Sequence, residues 1–289
     1  MQRARRGRDL LRSCRLCPRS CGVDRLRGER GFCGTGFRPR VAAVAVHEGE
    51  EPPISGTSGS GNIFFTGCNL ACFYCQNYPI SRLGVGKDLD PEELAGAMLN
   101  LQGREVHALN LVTPTPWIPQ ILEALSAARS RGLTLPIVFN SGGYESLEAL
   151  SLLDGAVDVY LPDMKYASNG RAFRYSRAPR YAAANQAAVA EMVRQVGTLV
   201  TDDGGIAVRG VLVRHLVLPG GEEDSLAVLR SLGRIDPAPP LSLMFQYFPA
   251  YRAVGHPLFG RRLWREECRI VERASEESGW IRGWKQDHG

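Results

Sequence analysis

Short apolar runs recur along the chain at intervals that fit strands alternating with helices. The first, Val41–Val46, reads as a strand and is followed by a Pro-, Gly- and Ser-rich stretch, Glu48 to Gly61, that reads as a loop. Six more runs follow: Ile63–Phe65, Val106–Val112, Pro136–Phe139, Val157–Leu161, Gly210–Leu218 and Leu241–Tyr247. Most are rich in Val, Ile, Leu or Phe without strict alternation, the pattern of strands buried on both faces. Helix-like segments lie between them. Asp90-Pro91-Glu92-Glu93 has the cap, first-turn proline and early acids of a helix start. Ile118–Arg131, Ser146–Leu153, Ala182–Val196 and Glu222–Leu232 complete the series. A repeated β-α order predicts parallel strands joined by right-handed crossovers. The 186 residues from Asn62 to Tyr247 hold about six such units, fewer than the ~250 residues of a full eightfold barrel. The predicted fold class is therefore α/β, a partial (β/α)6 barrel or an open parallel sheet. A last helix, Arg261–Ser278, sets Trp264, Cys268 and Val271 on one face, so Cys268 reads as a small core residue.

Composition sets the limits. The chain has 289 residues, 44% hydrophobic and 22% charged, which excludes a disordered, collagenous or coiled-coil protein. No apolar run approaches a membrane span, and no apolar stretch follows the basic start, so we expect no secretory signal and a cytoplasmic protein. The net charge of +5 is unevenly placed. Residues 1–40 carry 12 Arg against Asp9, Asp24 and Glu29. A basic arm of this kind can bind nucleic acid, although no aromatic interleaving accompanies it. The predicted division is 1–40, a basic Cys-rich metal-binding segment; 41–61, a strand and linker; 62–250, the barrel; and 251–289, a C-terminal helical extension.

Seven of the eight cysteines fall in two clusters, which in a reducing compartment points to metal sites. Cys68, Cys72 and Cys75 have the spacing C-x3-C-x2-C, directly after the first parallel run. Three thiolates on one loop suit a [4Fe–4S] cluster with one iron left open, and a strand's C-terminal end is where such folds place active sites. Zinc prefers four closed ligands and fits a lone three-Cys loop poorly. Cys14, Cys17, Cys21 and Cys33 supply four thiolates, enough for a closed site holding zinc or an auxiliary [4Fe–4S] cluster; the spacing does not decide between them.

The segment GCNLACFYCQN, with Tyr74 as the aromatic before the last Cys, resembles the signature of the radical S-adenosylmethionine (SAM) superfamily. The N-terminal Cys run, VTPTP, LPDMKYA, RHLVLPG and QYFPAY extend the resemblance to the PflX-type branch of proteins similar to the pyruvate formate-lyase activating enzyme. It implies a [4Fe–4S] cluster whose open iron is chelated by SAM, reductive cleavage to methionine and a 5′-deoxyadenosyl radical, and hydrogen abstraction from a glycyl-radical protein or a small molecule. A reducing partner such as flavodoxin or ferredoxin is implied with it. Later strand ends should then line the same pocket. Thr113 and Thr115 replace the usual Gly-Gly-Glu and are expected to meet the SAM ammonium. Asn140, beside Gly142 and Gly143, is expected close to the cofactor. Asp163 and Lys165 match an Asp-x-Lys that contacts SAM, with Lys165 facing its carboxylate. His215 is expected to face the pocket, and Gln246 and Tyr247 to touch substrate. The competing reading is a zinc-dependent nucleic-acid-binding module built on the basic N-terminus.

Overall fold

The computed structural model describes residues 2–279 and 284–286. Eleven strands are present among them: β1 (Arg40–His47), β2 (Ser60–Phe65), β3 (Lys87–Asp88), β4 (Leu109–Val112), β5 (Ile137–Ser141), β6 (Val159–Pro162), β7 (Val200–Thr201), β8 (Ala207–Val211), β9 (Val213–Leu216), β10 (Leu241–Met244) and β11 (Trp284–Gln286). β2, β4, β5, β6 and β8 are parallel neighbours in that order, and β9, β10 and β11 form a second parallel set. Only Leu212 separates β8 from β9. Leu212 N–H donates to Tyr160 O (3.0 Å) and Met164 N–H to Arg214 O (2.8 Å), so pairing with the β6 chain continues past the break. Six successive parallel strands result, one for each apolar run from Ile63 onward.

Each strand's two faces do different work. Ile63, Phe65, Leu109, Leu111, Ile137, Phe139, Tyr160, Val211 and Val213 point outward into the main core under the helices. Val138, Val159, Leu161 and Leu212 point inward, with Ala108, Ala207 and Ile54, and fill the lower lumen. Alternation by twos along each strand makes this division. The helix at Pro91–Gln102 opens with the expected cap, where Asp90 accepts from Glu93 N–H and Glu93 accepts from Asp90 N–H.

Three regions differ from the sequence reading. The 48–61 stretch is not wholly loop: Pro52–Ser55 is a helical turn and β2 begins at Ser60. Because β1 runs antiparallel to β2, this stretch lies under the N-terminal edge of the parallel sheet, with Ile54 against the lumen floor. The C-terminal region is not helical throughout; a helix at Arg265–Glu277 is followed by β11, which pairs with β10. The basic N-terminus is not a free arm. Gln2–Arg12 is a helix that buries Leu10 and Leu11. Arg3 donates to Asp154 O (2.6 Å), Arg6 to Ser151 Oγ (2.9 Å), and Arg15 pairs with Glu148 (3.3 Å). Arg25 is fully buried, donating to Gly36 O and Pro116 O over the Trp117 ring. These arginines are committed to the protein's own carbonyls, hydroxyls and rings.

Candidate active site

The loop after β2 begins at Gly67, whose φ of +86° favours glycine and where a Cβ would stand 2.3 Å from Thr35 Cγ2. The Cys-rich segment therefore packs directly on the start of the three-Cys loop. Other ties hold the loop. Ala71 and Phe73 N–H groups donate to Ser176 O and Tyr175 O (2.9 and 3.0 Å), and Arg252 N–H donates to Phe73 O (2.9 Å). Arg19 reaches from the N-terminal segment to Asn69 O (2.6 Å) and Arg177 O (2.5 Å).

Cys68, Cys72 and Cys75 share this loop within an aromatic cluster that includes Tyr74, Tyr166 and Phe259. Ser176 Oγ donates to Cys72 Sγ (2.9 Å), Cys75 Sγ lies 3.3 Å from Ser81 Oγ, and Leu70 N–H donates to Cys68 Sγ (3.4 Å). Burial raises the Cys68 thiol, and Cys72 and Cys75 raise it further. Burial also raises Cys72, against the pull of Lys165. Three thiolates held together here require a positive centre between them, and a coordinated thiol is deprotonated by its metal. That donor set fits an iron–sulfur cubane. Among the described residues no three His, Cys, Asp or Glu side chains converge as a single-ion site; a cubane spreads its thiolates over separate irons.

A cavity of about 280 Å³ opens beside the loop, and Cys72, Tyr74, Cys75, Asp163, Lys165 and Arg214 are among its walls. Lys165 Nζ is 2.5 Å from Asp163 Oδ2, and Arg214 Nε is 3.0 Å from Asp163 Oδ1. Arg214 also donates to Asn140 Oδ1 (2.5 Å) and to Glu50 Oε2 (3.4 Å). Burial alone would raise the Asp163 carboxyl, but Lys165 and Arg214 outweigh it and hold it below the usual range. Burial opposes the charge on Lys165, and Asp163 and then Cys72 outweigh that, so the ammonium is retained. Tyr74 Oη is 2.6 Å from Tyr166 Oη, which is 2.7 Å from Ser176 Oγ. A hydrogen-bonded chain thus joins Tyr74 to the sulfur of Cys72.

Of the predicted cofactor residues, Tyr74, Asp163 and Lys165 border the cavity, as does Gln246, and Asn140 reaches it through Arg214. Thr113 and Thr115 are not among its walls. Thr113 has φ +57° and donates its N–H to Asn140 O (2.9 Å), and the Thr115 hydroxyl donates to Glu145 (2.7 Å). His215 corrects the expectation outright. Strand alternation turns Arg214 and Leu216 inward and His215 outward. Its Nδ1 lies 2.6 Å from Met164 O and its Nε2 2.8 Å from Ser225 Oγ. A carbonyl only accepts, so Nδ1 carries the proton and Nε2 accepts; burial lowers the pKa to about 4 and keeps the ring neutral. Tyr247 also turns away and donates to Phe259 O (2.7 Å). The glycines after Asn140 serve packing: a Cβ on Gly143 (φ +66°) would stand 2.2 Å from Asp163 O. Sequence reasoning missed Glu50, Glu51 and Arg214. The two acids lie in a stretch read as plain loop. Arg214 adjoins His215, and alternation admits either phase.

The N-terminal thiols influence one another electrostatically but do not converge as a single-ion site. Cys14 is buried, Cys17 and Cys33 half-buried and Cys21 exposed. Burial pushes the Cys17 thiol up to about 12, with Cys33, Cys14 and Cys21 adding to the shift.

Six parallel strands with a thiol-bearing loop at the C-terminal end of the first define an α/β enzyme of the partial-barrel class. The model of the radical SAM superfamily matches residues 62–231, and the chain belongs to that superfamily. Membership implies an enzyme that uses SAM and a [4Fe–4S] cluster. The chain is similar to uncharacterized protein MJ0674 of Methanocaldococcus jannaschii, 31% identical over 280 residues, covering 93% of this chain and 75% of that protein. It also resembles MJ0808 of the same organism, 26% identical over 170 residues, covering 53% of this chain and 49% of that protein. Among solved structures, Streptococcus suis SuiB bound to S-adenosylmethionine superposes with a TM-score of 0.52 at 9% identity, covering 77% of this chain and 48% of that one. SuiB bound to its precursor peptide SuiA gives 0.51 at 9%, with 76% and 46% covered. The chain spans about half the length of SuiB, and at that identity the likeness is one of fold. No helix among the described residues is long and apolar enough to cross a membrane.

Proposed function

We propose that Cys68, Cys72 and Cys75 hold a [4Fe–4S] cluster at the mouth of the barrel and that SAM occupies the adjoining cavity. The observation that carries this reading is the placement of three thiols, Cys72 buried and Cys68 and Cys75 half-buried, beside the Asp163–Lys165–Arg214 group at the C-terminal ends of the parallel strands. When bound and reduced, the cluster supplies the electron that splits SAM into methionine and a hydrogen-abstracting 5′-deoxyadenosyl radical. The chain's own residues position and shield. Lys165 offers its ammonium to the SAM carboxylate, and Asp163 keeps that ammonium charged and aimed. Asn140 and Tyr74 offer polar contacts at the rim. The Thr115 hydroxyl donates to Glu145 and the Pro116 carbonyl accepts from Arg25, so this segment is tied to its neighbours and stands outside the cavity walls. The buried aromatic cluster around Cys72 excludes water from that sulfur.

Beyond the superfamily, we read the chain as a member of the PflX-type, activating-enzyme-like branch, acting in a reducing cytoplasm on a glycyl-radical protein or a small molecule and drawing electrons from a flavodoxin or ferredoxin. Residues 1–40 form a metal-binding segment packed on the 62–250 core, and Cys14, Cys17, Cys21 and Cys33 must draw together on binding to hold zinc or a second [4Fe–4S] cluster. Protein reconstituted with iron and sulfide without oxygen is expected to make 5′-deoxyadenosine from SAM and dithionite. Cys68→Ala, Cys72→Ala and Cys75→Ala are each expected to abolish the product, whereas Cys14→Ala lowers thermal stability. A fully loaded protein that leaves SAM intact overturns the reading.

A further inference from the structure

The lumen beneath the three-Cys loop contains polar groups that nothing in the chain satisfies. Asn110 lies between Leu109 and Leu111, and Ser242 between Leu241 and Leu243. The flanking leucines pack outward, so both polar residues face the lumen. The Asn110 amide, the Ser242 hydroxyl and both carboxylate oxygens of Glu51 are buried with no hydrogen bond of good geometry, Ser242 being the hydroxyl next to Glu51 and Arg214 the nearest cation. Glu51 is 1% exposed and forms part of the cavity wall. Buried polar groups in native proteins nearly always have partners, and an unpaired buried carboxylate is the costliest exception.

Charge identifies the missing partner. The cavity is bordered by three acids, Glu50, Glu51 and Asp163, and two cations, Lys165 and Arg214. Both cations are already engaged: Lys165 bonds Asp163, and Arg214 bonds Asp163, Asn140 and Glu50. Glu51 feels the charge of Arg214 but shares it with Asp163 and Glu50 and has no hydrogen bond to it, so it is the acid left without a cation of its own. An anionic occupant would add to the excess negative charge. A neutral hydroxyl would satisfy an oxygen and leave the charge. An ammonium or guanidinium supplies both hydrogen bonds and the opposite charge.

We propose that Glu51 is the seat for a cationic group of the substrate, an ammonium or guanidinium, drawn into the lumen below the cluster loop with Ser242 and Asn110 on the surrounding walls. The inference rests on the reading of this cavity as the SAM-dependent active site and names the class of molecule that site accepts. Glu51 and Lys165 border one cavity; Lys165 is assigned to the SAM carboxylate, and a cation that still binds at Glu51 under saturating SAM is distinct from SAM.

The test uses iron-loaded protein with saturating SAM and three probes of matched shape: butylammonium, 1-butanol and butyrate. Butylammonium is expected to raise the melting temperature and to bind at least tenfold tighter than the other two. Glu51→Gln is expected to lose that preference. Equal responses to the three probes, no response to butylammonium, loss of the response when SAM is added, or a preference kept in Glu51→Gln overturns the proposal. The wild-type contrast decides even where the variant folds poorly. 5′-Deoxyadenosine formed by the same preparation reports separately on the SAM reading: product without ammonium binding refutes this inference alone, and ammonium binding without product refutes only the reading beneath it.

Discussion

Glu145 shows how one buried side chain sets a pH dependence. It is 1% exposed and accepts from Thr115 Oγ1, with Ser141 the other hydroxyl near its carboxyl. Burial pushes its carboxyl up to about 7 against the pull of Thr115 and Ser141. The folded protein thus holds a proton that the unfolded chain releases near 4.5. Stability from this group is present at low pH and lost as pH rises from about 4.5 to about 7, because the native state binds more protons over that interval. Glu145→Gln keeps an acceptor for Thr115 and removes the ionisation. Denaturant unfolding at a series of pH values is expected to show wild type and variant converging near pH 4.5 and the variant ahead by about 3 kcal/mol at pH 8; parallel curves would refute this. At this scale the sequence was legible where chemistry is local. Cys68, Cys72 and Cys75 sit within eight residues, and Asp163 and Lys165, two apart, share a face. Arg214 was not legible, because two adjacent polar residues on a strand leave the inward one undetermined.

Among the elements, the three-Cys loop has one turn of its own, Cys75 N–H to Cys72 O (3.2 Å), and is otherwise fixed from outside. Its backbone hydrogen bonds run to the helix at Asn169–Ser176 and to Arg252, and Arg19 grips it from the Cys-rich segment. Gly67 is the tightest joint, with Thr35 Cγ2 and Cys33 O within 2.3 and 3.0 Å of where a Cβ would be. Gly67→Ala meets both that clash and a left-handed φ, and is expected to cost about 1–3 kcal/mol and to lower the iron retained after anaerobic gel filtration. Unchanged stability and iron content would show that the segment and the loop are independent. The helix at Gln2–Arg12 escaped sequence reasoning because it buries only one short edge, Leu10 and Leu11, among many arginines. The segment under the barrel escaped for a different reason: Pro, Gly and Ser signal a loop but not that the loop turns back beneath a sheet and presents Glu50 and Glu51 to its lumen.

For the molecule as a whole, the six parallel strands were legible because apolar runs of three to nine residues recur with helices between them, and that periodicity is a property of the whole span 62–247. The additions to that plan, β1, β3, β7 and β11 at its margins, are short or antiparallel and carry weaker patterns. The architecture brings the thiols, the Asp163–Lys165–Arg214 group and the unpaired Glu51 around one cavity, and the account depends on that cavity lying against an iron–sulfur centre with a free coordination position. Electron paramagnetic resonance of the dithionite-reduced, reconstituted protein addresses this directly, with Cys14, Cys17, Cys21 and Cys33 replaced by Ala so that only one thiol set remains. The reduced protein is expected to give a [4Fe–4S] signal that changes on adding SAM and disappears in Cys72→Ala. A signal indifferent to SAM, or a folded protein that binds no iron at Cys68, Cys72 and Cys75, would contradict it.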